Sequence, residues 1–315
     1  MQQVLKETSS DYQAFISDIT DMVKEMMGEE YTVRIFKVTK NNSLELDSLV
    51  LLKEGKNFAP NIYLLPYYEA YMEGVSLQEL AQRICGIYQS CTAPLTGDNF
   101  QYSLEEMKGN IIYRLVNYDK NHKLLETIPH IRYLDLAITF HCLVHNDGEG
   151  IGTIRITNEH MEQWNISLKE LQAFAIENTR KKFPPILRSM EEVIKRMISE
   201  EYGDNVLCAE MQNNLFQDTP DQHKMYILSN KKGINGATCL LYDNVLSDIA
   251  EQLRSDFFIL PSSIHEVILV PYDKSISKEA LMEMVKDVNR TQVASDEILS
   301  DRVYIYSSEN KAICP

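Results

Sequence analysis

Four serines in this 315-residue chain each stand three residues before a Glu or Gln and directly ahead of an apolar stripe at helical spacing. The pairs are Ser10/Gln13, Ser76/Glu79, Ser103/Glu106 and Ser167/Glu170. In each, the hydroxyl can accept from the later residue's N–H while the later side chain reaches back to the serine N–H. Short apolar runs bounded by turn residues lie between and after these helix starts, and they suit strands. Helices and strands in this mixture predict an α+β fold.

The first helix carries Tyr12, Phe15, Ile16, Ile19, Met22, Val23 and Met26, and Gly28 is placed to stop it. Strands are expected at 31–38, 48–52 and 61–65, a short β-meander, before a helix at 77–88. Residues 91–99 hold Pro94, Gly97 and small polar residues and read as a linker. A helix is expected from 104 to about 118, then strands at 133–144 and 151–157 around Asn146-Asp147-Gly148-Glu149-Gly150. Helices at 168–177 and 190–200 flank Pro184-Pro185. The last third reads as strands at 225–228, 237–241, 257–260, 267–270 and 303–306. Its helices lie at 245–253 and around Leu281, Met284, Val285 and Val288. The expected organisation is a small N-terminal domain over 1–93, a helix plus meander, and a larger mixed-sheet domain with helices packed on it over 94–315.

The chain has 31 basic and 46 acidic residues, a formal net charge of −15. That balance opposes broad binding to nucleic acid and docking on an anionic membrane; it keeps a chain soluble and permits binding to a basic partner. The six cysteines lack C-x-x-C spacing, and several sit in apolar runs, as packing thiols of a cytoplasmic protein do. No apolar run approaches the ~20 residues that span a bilayer.

Each candidate chemistry meets a spacing problem. Gly148, Gly150 and Gly152 precede a strand, whereas a phosphate loop opens a helix. His141 and His145 on a strand stand about 13 Å apart, too far for one metal, so no metal or cofactor is expected. His160 follows a strand end beside Glu159, with Trp164 close behind, where it can serve as a base or as part of a helix cap. Ser262, Ser263 and His265 lie around one turn, and Asn289 and Arg290 leave a helix that can flank it. A serine nucleophile needs its base within hydrogen-bond reach, which neighbours on a turn and strand rarely achieve. These six residues are the candidate polar cluster.

Several strings together resemble a family. They include Ala59-Pro60-Asn61-Ile62-Tyr63-Leu64, Leu115-Val116-Asn117-Tyr118, Asp135-Leu136-Ala137, Thr157-Asn158-Glu159-His160, Glu177-Asn178-Thr179 and Leu299-Ser300-Asp301. The chain resembles the uncharacterised bacterial domain-of-unknown-function family 5688. The resemblance implies a bacterial cytoplasmic protein, often near mobile elements, and brings no catalytic residue or cofactor. The leading expectation is a non-catalytic binding or interaction protein with a protein partner. An acidic nucleic-acid mimic that inhibits a host defence system is the first alternative. A small-molecule enzyme with its site at the Pro261-Ser262-Ser263 turn is the second. Homo-oligomerisation is left open.

Overall fold

Phe15, Ile16, Ile19 and Val23 recur every three or four residues, so helix α1 (Ser10–Met27) buries one stripe. Gly28, at φ +85°, ends the helix by donating to Lys24 O at 3.1 Å. The computed structural model describes residues 10–55, 59–92, 103–146, 151–203 and 224–315. The linker residues 93–99 and the hairpin tip at 147–150 lie outside them. The chain divides into two compact units, Met1–Tyr102 with Val144–Gly152, and Ser103–Leu143 with Thr153–Pro315.

In the first unit, β1 (Tyr31–Thr39), β2 (Glu45–Lys53) and β3 (Asn61–Tyr63) form the expected antiparallel meander. The tyrosine-rich stretch after it is itself a helix, α2 (Leu65–Met72), with Pro66 in its first turn, where a missing N–H costs nothing. Helix α3 (Leu77–Thr92) follows, and Glu79 N–H donates to Ser76 Oγ at its start. Leu49, Leu51 and Leu64 meet Leu80 and Ile84 of α3 and the α1 stripe in one core.

In the second unit, α4 (Leu104–Met107) stops after one turn. A 3₁₀ turn at Lys108–Asn110 then leads into strand β4 (Ile111–Asn117), which overturns the expected helix to about 118. Ile111, Tyr113 and Leu115 alternate into the core, and β-branched and aromatic residues favour the pleat. Helix α5 (His122–Leu125) precedes β5 (His130–Tyr133) and β6 (Leu136–Asn146), two strands where the sequence suggests one. β6 pairs antiparallel with β4 and β5, and also with β7 (Ile151–Arg155).

Helices α6 (Asn158–Trp164) and α7 (Leu168–Lys182) follow. Ser167 and Glu170 close the expected reciprocal cap on α7. Strand β8 (Pro185–Ser189) occupies the segment read as a Pro-Pro break; it is an edge strand, where proline is tolerated. Helix α8 (Met190–Tyr202) and β9 (Tyr226–Asn230) come next. The expected strand at 237–241 is a buried 3₁₀ helix, Gly236–Leu241. There the chain runs against the sheet, and a Cβ on Gly236 would lie 2.4 Å from His265 O. Then follow α9 (Val245–Leu253), β10 (Phe257–Leu260), β11 (Val267–Pro271), α10 (Lys278–Thr291), β12 (Tyr304–Ser307) and β13 (Ala312–Cys314).

The six-stranded sheet runs β13-β12-β10-β11-β9-β8, antiparallel at every step, in an α+β fold. Alternation along β10 explains its unbroken apolar run. Phe257 and Ile259 face the main core with Tyr304 and Tyr306, whereas Phe258 and Leu260 pack with Leu281 and Val285 of α10.

Candidate functional site

The turn after β10 is clamped by backbone bonds. Leu299 N–H donates to Ser262 O and Ser300 N–H to Pro261 O, each at 2.9 Å. Ile264 N–H donates to Glu297 O, and Ser263 bridges Ile298. Ser263 Oγ accepts from the backbone N–H of His265 at 3.0 Å. The His265 ring is engaged at both nitrogens: Nδ1 accepts from Asn235 N–H at 3.2 Å, and Nε2 lies 3.2 Å from Glu297 Oε1. That pattern fixes the proton on Nε2, which donates to the carboxylate. The imidazole therefore ties the 3₁₀ segment to the 297–300 strap instead of facing a serine hydroxyl.

Asn289, at the end of α10, reaches the same strap. Its Nδ2 donates to Ser300 O at 2.9 Å and to Asp301 Oδ1 at 2.7 Å. Arg290 is exposed and pairs with Asp287 one helical turn back at 2.6 Å. His160 belongs to the cap of α6: its N–H donates to Thr157 Oγ1, and its Nδ1 accepts from Thr157 N–H at 3.0 Å. Its ring stacks on Trp164 at 5.6 Å, and burial holds its pKa below the usual histidine value despite Glu159. Ser262, Ser263, His265 and Asn289 thus share one strap, while Arg290 and His160 are held by neighbours on their own helices.

A second polar centre lies beside that strap. The tight turn between β5 and β6 places Leu134 at φ +58°, a strained conformation for a branched side chain, and presents Asp135 inward. Asp135 Oδ2 accepts from Ser300 Oγ at 2.7 Å, and Oδ1 accepts from Tyr304 OH at 2.5 Å. Arg302 Nε stands 3.8 Å from the same carboxylate. Burial, reinforced by the bond to Asp135, raises the Tyr304 phenol far above its ordinary pKa, so it remains a donor. Asn117, at the end of β4, donates from Nδ2 to Leu299 O at 3.0 Å and accepts from Lys120 N–H at 2.9 Å. Asn121 Nδ2 closes the group on Asn117 O at 2.8 Å.

Each oxygen of Asp135 is met by a buried hydroxyl, so the network pins the β5–β6 turn to β12 and the strap. The sequence carries a signal for it: Asn117, Asp135 and Ser300 each sit in a string shared with the family resemblance. Among the described residues no group of three or more His, Cys, Asp or Glu side chains could hold a metal.

A family model matches residues 12–308. The chain belongs to the family of unknown function DUF5688. No curated protein and no solved structure gives a significant match. Among the described residues no helix is long and apolar enough to cross a membrane.

A groove in the first unit is the other surface feature of note. It has a volume of about 490 Å³ and is lined by residues of α2 and α3, among them Pro66, Tyr67, Ala70, Leu80, Arg83 and Ile87. Ile87, one of its lining residues, is 43% exposed, and Met72 at the end of α2 is 66% exposed. Glu69 and Glu73 are exposed on the same helix end.

Proposed function

We propose that this protein is a non-catalytic binding protein that takes a basic, amphipathic helix of a partner protein into the α2–α3 groove. The observation that carries the reading is an apolar floor left open on a helix pair, where the one charged lining residue, Arg83, is paired with Glu79 at 2.6 Å. Helix-in-groove recognition uses apolar anchors at i, i+3 or i+4 and i+7, which suit a floor of Tyr67, Ala70 and Ile87. The net charge of −15 favours lysine and arginine on the polar face of the partner helix. Catalysis at the Pro261 turn has weaker support, because both nitrogens of His265 are already committed.

The test is affinity capture from native lysate by the wild-type chain and by Ile87→Glu, at low and high salt. The reading expects a basic protein retained by wild type, lost from the variant, and weakened as salt rises. Equal capture by wild type and Ile87→Glu would refute it.

A further inference from the structure

Helix α8 has the apolar spacing of a helix that packs, with Val193, Ile194, Met197 and Ile198 recurring every three or four residues. Yet none of its described side chains is buried, and Met197 is 61% exposed. Strand β8, which leads into it, is the edge of the six-stranded sheet and pairs only with β9. A stripe that the rest of the chain covers only in part is a candidate contact surface.

That surface holds a cavity of about 370 Å³ lined by Arg188, Glu192, Val193, Arg196, Met197 and Glu200. Its charges alternate at every fourth position, from Arg188 through Glu192 and Arg196 to Glu200. Residues four apart share a helix face, so the charges form one row beside Val193 and Met197. Arg188 is exposed and has no ion-pair partner among the described residues. Glu192 Oε2 accepts from Ser189 N–H at 3.0 Å, and Glu200 Oε1 accepts from Arg196 Nε at 2.7 Å. Each carboxylate keeps its other oxygen for a second contact, and Arg196 keeps its Nη groups.

A row of alternating sign complements a copy of itself only when the copy is reversed. Parallel copies set like charge against like. Antiparallel copies, related by a twofold axis near Ile194, set Arg188 against Glu200 and Glu192 against Arg196 of the second copy, each pair twice. The same axis brings Met197 of each copy beside Val193 of the other, within about 3 Å along the helix. Two molecules of net charge −15 repel, so their contact needs a surface that adds no charge of its own, and this row sums to zero. We propose that the chain forms a twofold homodimer through α8, with the two helices antiparallel and the four charges of each paired across the axis. A 13-residue helix is ~20 Å long, so the contact is smaller than the ~800 Å² per partner of a standard interface, and the dimer is weak and reversible.

The test is sedimentation equilibrium of the full chain from about 1 to about 500 µM, a range that reaches weak interfaces. It compares wild type, Arg188→Glu, Glu200→Arg and an equimolar mixture of the two variants. Each variant alone turns two attractions across the axis into repulsions and should dimerise about tenfold or more weakly than wild type. The mixture should recover the wild-type affinity, because every pair across the axis is again of opposite charge. Both positions are exposed, so the variants should keep the circular dichroism of wild type. Should either fail to fold, Met197→Ser carries the test by removing the apolar contact, and it too should weaken the dimer. The proposal is overturned if wild type stays monomeric throughout the range, if a folded variant dimerises as tightly as wild type, or if the mixture stays as weak as its components.

Discussion

Replacing Tyr304 with phenylalanine deletes one hydroxyl from a buried carboxylate and leaves the ring in its core position. In the wild type that hydroxyl donates to Asp135 Oδ1 at 2.5 Å, while Ser300 Oγ satisfies Oδ2 at 2.7 Å. Tyr304 is 1% exposed and Asp135 9%, so the lost donor is not readily replaced from solvent. A hydrogen bond to a charged group contributes ~1.5–3 kcal/mol, and a buried oxygen left unmatched puts this case near the upper end. Tyr304→Phe should therefore cost about 2–3 kcal/mol, a large share of a typical ~5–15 kcal/mol total. Asp135→Asn keeps the shape but loses the charge, and should cost about 1–2 kcal/mol. The double variant should cost less than the sum of the singles, because both act on the same hydroxyl–carboxylate bond, one deleting its donor and the other weakening its acceptor. Urea denaturation read by tryptophan fluorescence and circular dichroism gives the three values from midpoints at unchanged slope. A loss below about 0.5 kcal/mol for Tyr304→Phe, or strict additivity in the double variant, would refute the argument that this network is a fastening.

Two further outcomes follow from other parts of the second unit. His141 is held neutral by burial beside Arg114 and Arg155, so the unfolded chain binds a proton there before the folded one does. Stability should fall as pH drops below about 6.5, His160 adding in the same direction, and His141→Gln should flatten the slope between about pH 5 and 6.5; an unchanged slope in urea midpoints would contradict this. Gly236→Ala would put a Cβ 2.1 Å from Ser229 Oγ and 2.4 Å from His265 O. It should cost about 3 kcal/mol in urea denaturation, and Ser229→Ala should restore only part of that, because the clash with backbone remains.

Much of the fold was legible because local chemistry decided it. The α1 stripe with its glycine stop and the reciprocal Ser167/Glu170 cap depend only on residues three or four apart. The errors fell where a partner distant in sequence decided the outcome. Ile111 to Leu115 has an apolar spacing that a helix can also use, and pairing with β6 made it a strand. Residues 237–241 look like a strand, yet the close approach of Gly236 to the sheet turned them into a 3₁₀ helix. For the candidate cluster, adjacency at 262–265 placed three residues on one turn. It could not show that Asn235 and Glu297 would occupy the His265 ring.

By itself, then, the sequence determined the α+β class, most helices, the N-terminal meander, the acidic balance and the family. Those properties reside in composition and in spacings of a few residues. Only the tertiary structure decided that Asp135 meets Ser300 and Tyr304 across more than half the chain, and that Arg114 meets Thr153 on one half-buried face. Strand pairing sets which distant side chains share a face, and no local pattern around either member of such a pair encodes its partner.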